Sequence, residues 1–186
     1  ETAESLAPAK PDKLTMGSSV QWYSARTAEP SAFPVCPWAV QFTEENAQRV
    51  TMGEWNWETG MNKHQIDQFE EVRDHGMRVV YGNWAFLKNS PSSRAKYATL
   101  KLDWVAHIAG KRESRRFLGD VILTQQDLEM GRKFPDDIGY GGHGLDDHQV
   151  CGDQADIHFH SVPPMYGIPL RACYSRNVDN LFLAGR

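Results

Sequence analysis

The sequence lacks the features that mark several common classes of protein. No segment approaches the ~20 consecutive apolar residues of a membrane-spanning helix, so no membrane insertion is expected. The net charge is −4, whereas a general nucleic-acid-binding protein needs a basic face, so no nucleic-acid partner is expected. There are only three cysteines, Cys36, Cys151 and Cys173; their number is odd and their spacing matches no metal motif, so a disulfide framework is not expected. The compartment stays open, because any signal peptide would lie outside this segment.

Nucleotide-binding fingerprints are also missing in the context that they require. Residues 139–144 match G-x-G-x-x-G by letter, but no hydrophobic strand precedes them and no helix pattern follows. Arg112 follows Gly110-Lys111, where a P-loop needs a Ser or Thr to ligate magnesium. We therefore interpret residues 134–153 as a Gly- and Asp-rich loop near a site, and expect neither a dinucleotide nor a nucleoside triphosphate there.

What is present is the composition of an ordinary globular chain, with 40% hydrophobic and 24% charged residues. Hydrophobic periodicity predicts an α+β fold, with a mixed or antiparallel sheet and packed helices. Predicted strands cover 20–24, 38–42, 54–58, 117–123, 157–159, 170–174 and 181–184. Predicted helices cover 66–87 and 90–110, and Thr124 with Asp127 predicts a capped short helix.

Two polar groups of residues stand out as candidate sites. Residues 110–116 carry Lys111, Arg112, Glu113, Arg115 and Arg116, which predict an ion-pair network able to bind an anion bidentately. A solvated basic face is the alternative, but Phe117 and Leu118 follow at once. The second group contains histidines and aspartates, which are ligand types that zinc, iron and manganese accept. No ligand motif covers the group, so we expect a polar pocket and no metal. Its members are His143, Asp146, Asp147, His148, His158 and His160.

Two blocks of the chain are specific motifs, residues 110–116 and the closing Asn-Leu-x-Leu-Ala-Gly-Arg of 180–186. With several supporting blocks, they resemble one family, the xanthan-lyase-like FAD-dependent oxidoreductases. Residues 145–148, Leu-Asp-Asp-His, nearly keep the family's Ile-Asp-x-His pattern, whereas His143 stands where a Trp is expected. The supporting blocks are 4–8, 15–19, 55–58, 72–74, 81–84, 119–120, 166–169 and 176–181.

The resemblance implies that this chain is the substrate-side part of a two-domain flavoprotein. The chain begins without Met and stops directly after the apolar run Leu181–Gly185, so we interpret it as a piece of a longer protein. We expect one domain over 1–186, with 1–18 as an irregular lead-in and 19–186 as a substrate domain. Its last strand would return to an FAD domain of the same parent chain. FAD is expected in the full-length protein and is not expected to bind this piece tightly.

The resemblance also implies roles for individual residues. The flavin would accept a hydride from a polar, carbohydrate-derived substrate; a non-catalytic carbohydrate-binding module with an aromatic-rich surface is the alternative. A polysaccharide lyase is not favoured, because no Tyr/His lyase pair is evident. Expected catalytic residues are His148, as proton acceptor, with Arg112, Arg115 and Arg116. Expected substrate-binding residues are Trp55, Trp57, Glu58, His158, His160 and Tyr166, and expected cofactor-binding residues are Ala184, Gly185 and Arg186.

Overall fold

The computed structural model describes residues 4–10, 14–54, 56–112, 115–151, 154–163 and 165–185, with backbone only for 149–151 and 154–156. Helices and antiparallel strands are both present, so the expected α+β class is confirmed. The helices are α1 Phe69–Asn89, α2 Arg94–Tyr97 and α3 Gln125–Glu129, and a 3-10 turn spans Leu170–Ala172. The strands are β1 Trp22–Arg26, β2 Met52–Gly53, β3 Leu100–Val105, β4 Asp137–Gly141, β5 Leu145–Cys151, β6 Gln154–His160 and β7 Tyr166–Pro169.

The strands form three small sheets, ordered β2-β1-β3, β4-β7 and β5-β6. Compact packing divides the chain into two units. The helical unit comprises residues 14–114 and 150–155, and the cavity unit comprises 1–13, 115–149 and 156–186. The expectation of one domain over 1–186 stays a prediction, because a division by packing does not show whether the two units unfold together.

The core of the helical unit is built around α1. Val79, Trp84 and Leu87 are completely buried, at the spacing that places apolar residues on one stripe of a helix. The Trp22 ring from β1 lies 5.6 Å from the Trp84 ring in an edge-to-face arrangement, which is a favourable geometry for aromatic pairs. At Gly82 a Cβ atom would lie 1.8 Å from the carbonyl oxygen of Val40, so this glycine lets residues 36–42 pack directly on the helix.

Several expected elements are wrong in type. The second helix ends at Tyr97, and its expected stripe continues as β3, because Leu102 and Trp104 pair with Ser24 and Tyr23 of β1. Tertiary pairing here outweighs helical periodicity, which is a weak signal for a short apolar segment. Residues 38–42 form no strand, since the Val40 amide donates to the Arg78 carbonyl of α1.

Other differences lie in the cavity unit. The segment 134–153 was expected to be a loop but contains β4 and all of β5, and β7 was not expected. Residues 117–123 form no strand, residues 170–174 contain the 3-10 turn, and 181–184 contribute one bridge, Tyr174 to Phe182. The strand at 20–24, the strand at 157–159 and the long helix are confirmed within a few residues. In the described part of the chain, no helix is both long and apolar enough to cross a membrane.

Lys88 connects the C-terminal end of α1 by hydrogen bonds to Ser31 and to the segment between α2 and β3. Its side chain is 8% exposed, and its Nζ donates to the carbonyl oxygens of Tyr97 at 2.9 Å, Ala98 at 3.1 Å and Leu100 at 2.7 Å. It also donates to the hydroxyl of Ser31 at 3.0 Å. Burial lowers the pKa of Lys88. One ammonium group therefore satisfies carbonyl groups at the turn from α2 into β3.

Replacing Lys88 by Met should destabilise the helical unit. Met keeps the apolar stem but leaves several buried acceptors without a donor, which should lower the free energy of unfolding by about 2–4 kcal/mol. The measurement is urea unfolding followed by circular dichroism. Lys96→Met, on the exposed side of α2, is the matched control and should stay within about 0.5 kcal/mol of wild type. Equal stabilities for the two variants would contradict this role of Lys88.

Candidate functional site

The cavity unit contains a cavity of about 700 Å³, within the size range of small-molecule sites. Its lining comes from five separate stretches of sequence, beginning near residue 4 and ending at residue 185. It therefore brings together residues that no local motif connects. The lining residues are Glu4, Leu6, Ala7, Arg116, Leu123, Thr124, Gln125, Leu128, Leu145, Asp146, Asp147, Tyr166, Ile168, Ala172, Cys173, Leu183, Ala184 and Gly185.

Four predicted site residues lie in this lining: Arg116, Tyr166, Ala184 and Gly185. Expected catalytic, substrate-binding and cofactor-binding positions thus share one cavity. A mostly apolar lining with a few charged and hydrogen-bonding groups is the usual composition of a site that orients a small polar molecule.

Strands β5 and β6 carry several aspartates and histidines, some of them in the cavity lining. Asp146 and Asp147 lie in its lining, and Nε2 of His160 is 3.9 Å from Oδ2 of Asp147. At that separation the two groups interact as charges when the imidazole is protonated. His148 is half-buried on β5 with a buried Nδ1, but it is not among the described residues that line the cavity. His158 is exposed on β6.

The cavity wall formed by α3 is held by a capping box at the start of the helix and by hydrogen bonds from the N-terminal segment. Thr124 and Asp127 form a capping box, which confirms the capped helix expected from their spacing. The carboxylate of Glu4 accepts from the Gln125 amide at 2.6 Å, while the Leu6 amide donates to Oε1 of Gln125 at 3.0 Å. Glu4, Leu6 and Ala7 of the expected lead-in thus line the cavity. No sequence signal linked residue 4 to residue 125.

The opposite wall is held by the ion pair of Asp136 and Arg171. The carboxylate of Asp136 accepts from Nε of Arg171 at 3.0 Å and from Nη2 at 2.8 Å. It also accepts from the Arg171 amide at 3.1 Å, and this bonding lowers the pKa of Asp136 to about 2. The pair fixes the 3-10 turn, whose last residue Ala172 lines the cavity together with the following Cys173.

The wall at Ala184 and Gly185 bears on the cofactor that the resemblance implies. Gly185 has a φ of +77°, and a Cβ atom added there would meet nothing within 4 Å. Glycine adopts this backbone conformation without strain and leaves the peptide uncovered, so a flat ring can approach it closely. The size of the cavity and this uncovered backbone fit part of a flavin.

The other predicted residues with described side chains are Glu58, Trp57 and Arg112 in the helical unit and Arg115 in the cavity unit. Nη1 of Arg112 lies 3.1 Å from Oε1 of Glu58, so the expected ion pairing of the 110–116 block exists for Arg112, with a partner that the sequence did not indicate. Arg115 is exposed. Trp55, Glu113 and Arg186 lie outside the described residues, so the expected network around Glu113 stays a prediction.

Trp57 occupies a different environment from the one expected. It is 4% exposed, its ring stacks 6.2 Å from that of Trp22, and Phe42 packs against it at 6.0 Å. This position offers no exposed ring face on which a sugar could stack. Among the described residues, no group of three or more metal-ligating side chains is assembled.

A family model described as FAD dependent oxidoreductase matches residues 6–186. The match includes residues of both units and, apart from Glu4, all the groups described above. No curated protein and no solved structure matches this chain.

The stability contributed by Asp136 should depend on pH. Because its folded-state pKa of about 2 lies below the usual 3.8, this contribution is complete above about pH 4 and is lost as the pH falls towards about 2. Asp136→Asn should lower the melting temperature near neutral pH, and the difference from wild type should shrink as the pH falls through that window. Thermal unfolding followed by circular dichroism measures this. The exposed Asp179→Asn is the control, and a difference independent of pH would exclude the ion pair as its source.

Proposed function

We propose that this chain, which belongs to the FAD dependent oxidoreductase family, is the substrate-binding part of a flavoenzyme. The enzyme would transfer a hydride to the flavin from a polar, carbohydrate-derived substrate, as in the xanthan-lyase-like group. The observation that carries the proposal is the convergence of Arg116, Tyr166, Ala184 and Gly185 on one cavity of about 700 Å³. The partners would be a small-molecule or carbohydrate substrate and the FAD domain of the same parent chain, with no nucleic acid and no membrane.

Each part of the lining has a chemical role in this proposal. FAD, when bound, would supply the two-electron oxidation, accepting the hydride of a substrate C–H bond as a carbonyl group forms. Ala184 and Gly185, with Arg186, would hold the cofactor through their backbone, where the glycine leaves room. Arg116 and Tyr166 would orient the polar groups of the substrate. The apolar side chains would exclude water from the reacting carbon.

The β5–β6 hairpin would take the proton that leaves the substrate hydroxyl group. We propose His148 as the acceptor, since a histidine side chain is a common proton acceptor in catalysis and His148 follows the lining residue Asp147 on β5. Asp147, with His160 3.9 Å behind it, is the competing acceptor on the same hairpin. The proton would then pass from the hairpin to solvent.

His148→Gln in the full-length protein should slow flavin reduction by about 10²-fold or more, because the proton then lacks its acceptor. The measurement is the loss of flavin absorbance in a single turnover, after a panel of monosaccharides, uronic acids and amino sugars has identified a reductant. Asp147→Asn is measured in parallel and should have the smaller effect.

His107→Gln, at an exposed position of the helical unit, is the matched control and should leave the rate unchanged. A lower melting temperature for His148→Gln with little loss of rate would assign His148 a structural role. A large loss in Asp147→Asn alone would make Asp147 the acceptor. A full-length protein that contains FAD but is reduced by no member of the panel would count against the proposed substrate class.

An exposed aromatic pair favours carbohydrate binding without redox chemistry as the second candidate. Tyr23 and Trp104 pack 5.3 Å apart with an interplanar angle of 19°, and they are 45% and 40% exposed. Tyr23 also pairs in register with the exposed Met52, so an apolar row crosses all three strands of this sheet. Stacking of sugar rings on exposed aromatic faces would use such a surface.

Affinity electrophoresis with soluble xanthan tests this second candidate. If it is correct, xanthan in the gel should retard the wild-type protein, and Tyr23→Ala with Trp104→Ala should abolish the retardation. Trp38→Ala, which removes another exposed tryptophan, should leave the retardation in place. Equal mobility of wild type with and without xanthan would exclude xanthan binding by this surface.

A further inference from the structure

A buried ion pair joins two distant segments of the helical unit. Glu58 is 1% exposed and Arg112 is 15% exposed. Burying two charges costs desolvation energy that their attraction seldom exceeds, so such a pair is weak evidence for a stabilising role. Its presence here calls for a reason other than stability.

The backbone around Glu58 is fixed by a third segment. The Ser18 amide donates to the Thr59 carbonyl at 3.0 Å, and the Thr59 amide donates to the Ser18 carbonyl at 2.9 Å. A Cβ atom at Gly17 would lie 2.9 Å from backbone atoms of Glu58 and Thr59, so a glycine is required for this contact. The backbone of Glu58 is therefore fixed because residues 58–59 pack directly against residues 17–18.

The same segment also fixes the backbone that leads to Arg112. The Ser19 amide donates to the Gly110 carbonyl at 3.2 Å, and the Gly110 amide donates back to the Ser19 carbonyl at 2.7 Å. The polar surroundings continue with the buried Ser18 hydroxyl, which donates to Oε1 of Gln65 at 2.9 Å. The backbone is thus hydrogen-bonded next to Glu58, at Thr59, and two residues before Arg112, at Gly110.

The guanidinium of Arg112 keeps donors available beyond this pair. Its contact with Glu58 uses Nη1, and a guanidinium carries five N–H donors in a planar fork. In the described part of the chain, Arg112 has no second ion-pair partner. Because Arg112 is the more exposed partner, its remaining N–H groups are the side of the pair that a ligand can reach.

We propose that Glu58 is a positioning residue that orients Arg112 to bind an anionic oxygen group, a carboxylate or a phosphate. The inference rests on the proposed function, in which that group belongs either to the substrate or to the FAD diphosphate. A fixed planar fork binds two oxygens of such a group at once, whereas the ammonium of a lysine acts as a point charge. The geometry of the fork, beyond its charge, is therefore what the pair provides.

The experiment compares Arg112→Lys and Glu58→Gln with wild type in the full-length holoenzyme. FAD content after gel filtration, kcat, KM and the melting temperature are measured for each. If the anion belongs to the substrate, both variants should raise KM about 10-fold or more while FAD content stays stoichiometric. If it belongs to FAD, both variants should lose FAD during gel filtration. Arg94→Lys, an exposed arginine on α2, should match wild type throughout.

Chemical rescue separates positioning from a purely structural role. Added guanidinium ion should restore at least part of the lost KM or FAD retention in Arg112→Gly, but not in Arg112→Gly combined with Glu58→Gln. Acetate and inorganic phosphate, added separately, should compete with the anion in wild type and identify its class.

Wild-type KM and FAD content in Arg112→Lys would overturn the inference, as would rescue that does not depend on Glu58. An inactive wild-type holoenzyme would instead count against the proposed function. The FAD content of the variants would still test whether Glu58 orients Arg112.

Discussion

The burial of α1 is the constraint on which the helical unit depends. Val79, Trp84 and Leu87 have no exposed surface, so chain must cover the helix on more than one side. β1 supplies Trp22, the 36–42 segment packs over Gly82, and Trp57 packs on Trp22. Glu58, next to Trp57, is also buried, because the segments of Ser18 and Arg112 cover its side of the chain. The ion pair with Arg112 is thus a consequence of how the core is closed.

This explains why residue alternation misleads at residues 57–59. A strand with one wet face would bury Trp57 and expose Glu58, which is what the sequence pattern predicts. In the structure Trp57, Glu58 and Thr59 are all buried, because the core covers one side and the segments of Ser18 and Arg112 cover the other. A buried carboxylate cannot be inferred from periodicity, since its partner lies more than fifty residues away in sequence.

Local signals predicted the fold best where one element determines its own structure. The long helix and the capping box of Thr124 and Asp127 depend on nearby residues, and both were predictable. β3 was not, because its strand form depends on pairing with β1. The same division holds for the candidate site. Arg116 and Gly185 could be nominated from family blocks, but their shared cavity also depends on Glu4, for which no local pattern exists.

The ion pairs Asp136–Arg171 and Glu58–Arg112 differ in exposure, and this difference separates a structural role from a ligand-binding role. Both carboxylate oxygens of Asp136 accept hydrogen bonds from Arg171, which donates through Nε, Nη2 and its backbone amide. The pair is therefore bidentate. It lies at the surface, where charges are well solvated and their pairing is cheap. Glu58 and Arg112 make a single described contact at 3.1 Å in a site where desolvation is costly. Among the described residues, the remaining guanidinium donors of this buried pair have no ion-pair partner, so the pair is better suited to presenting a cation than to joining two segments of chain.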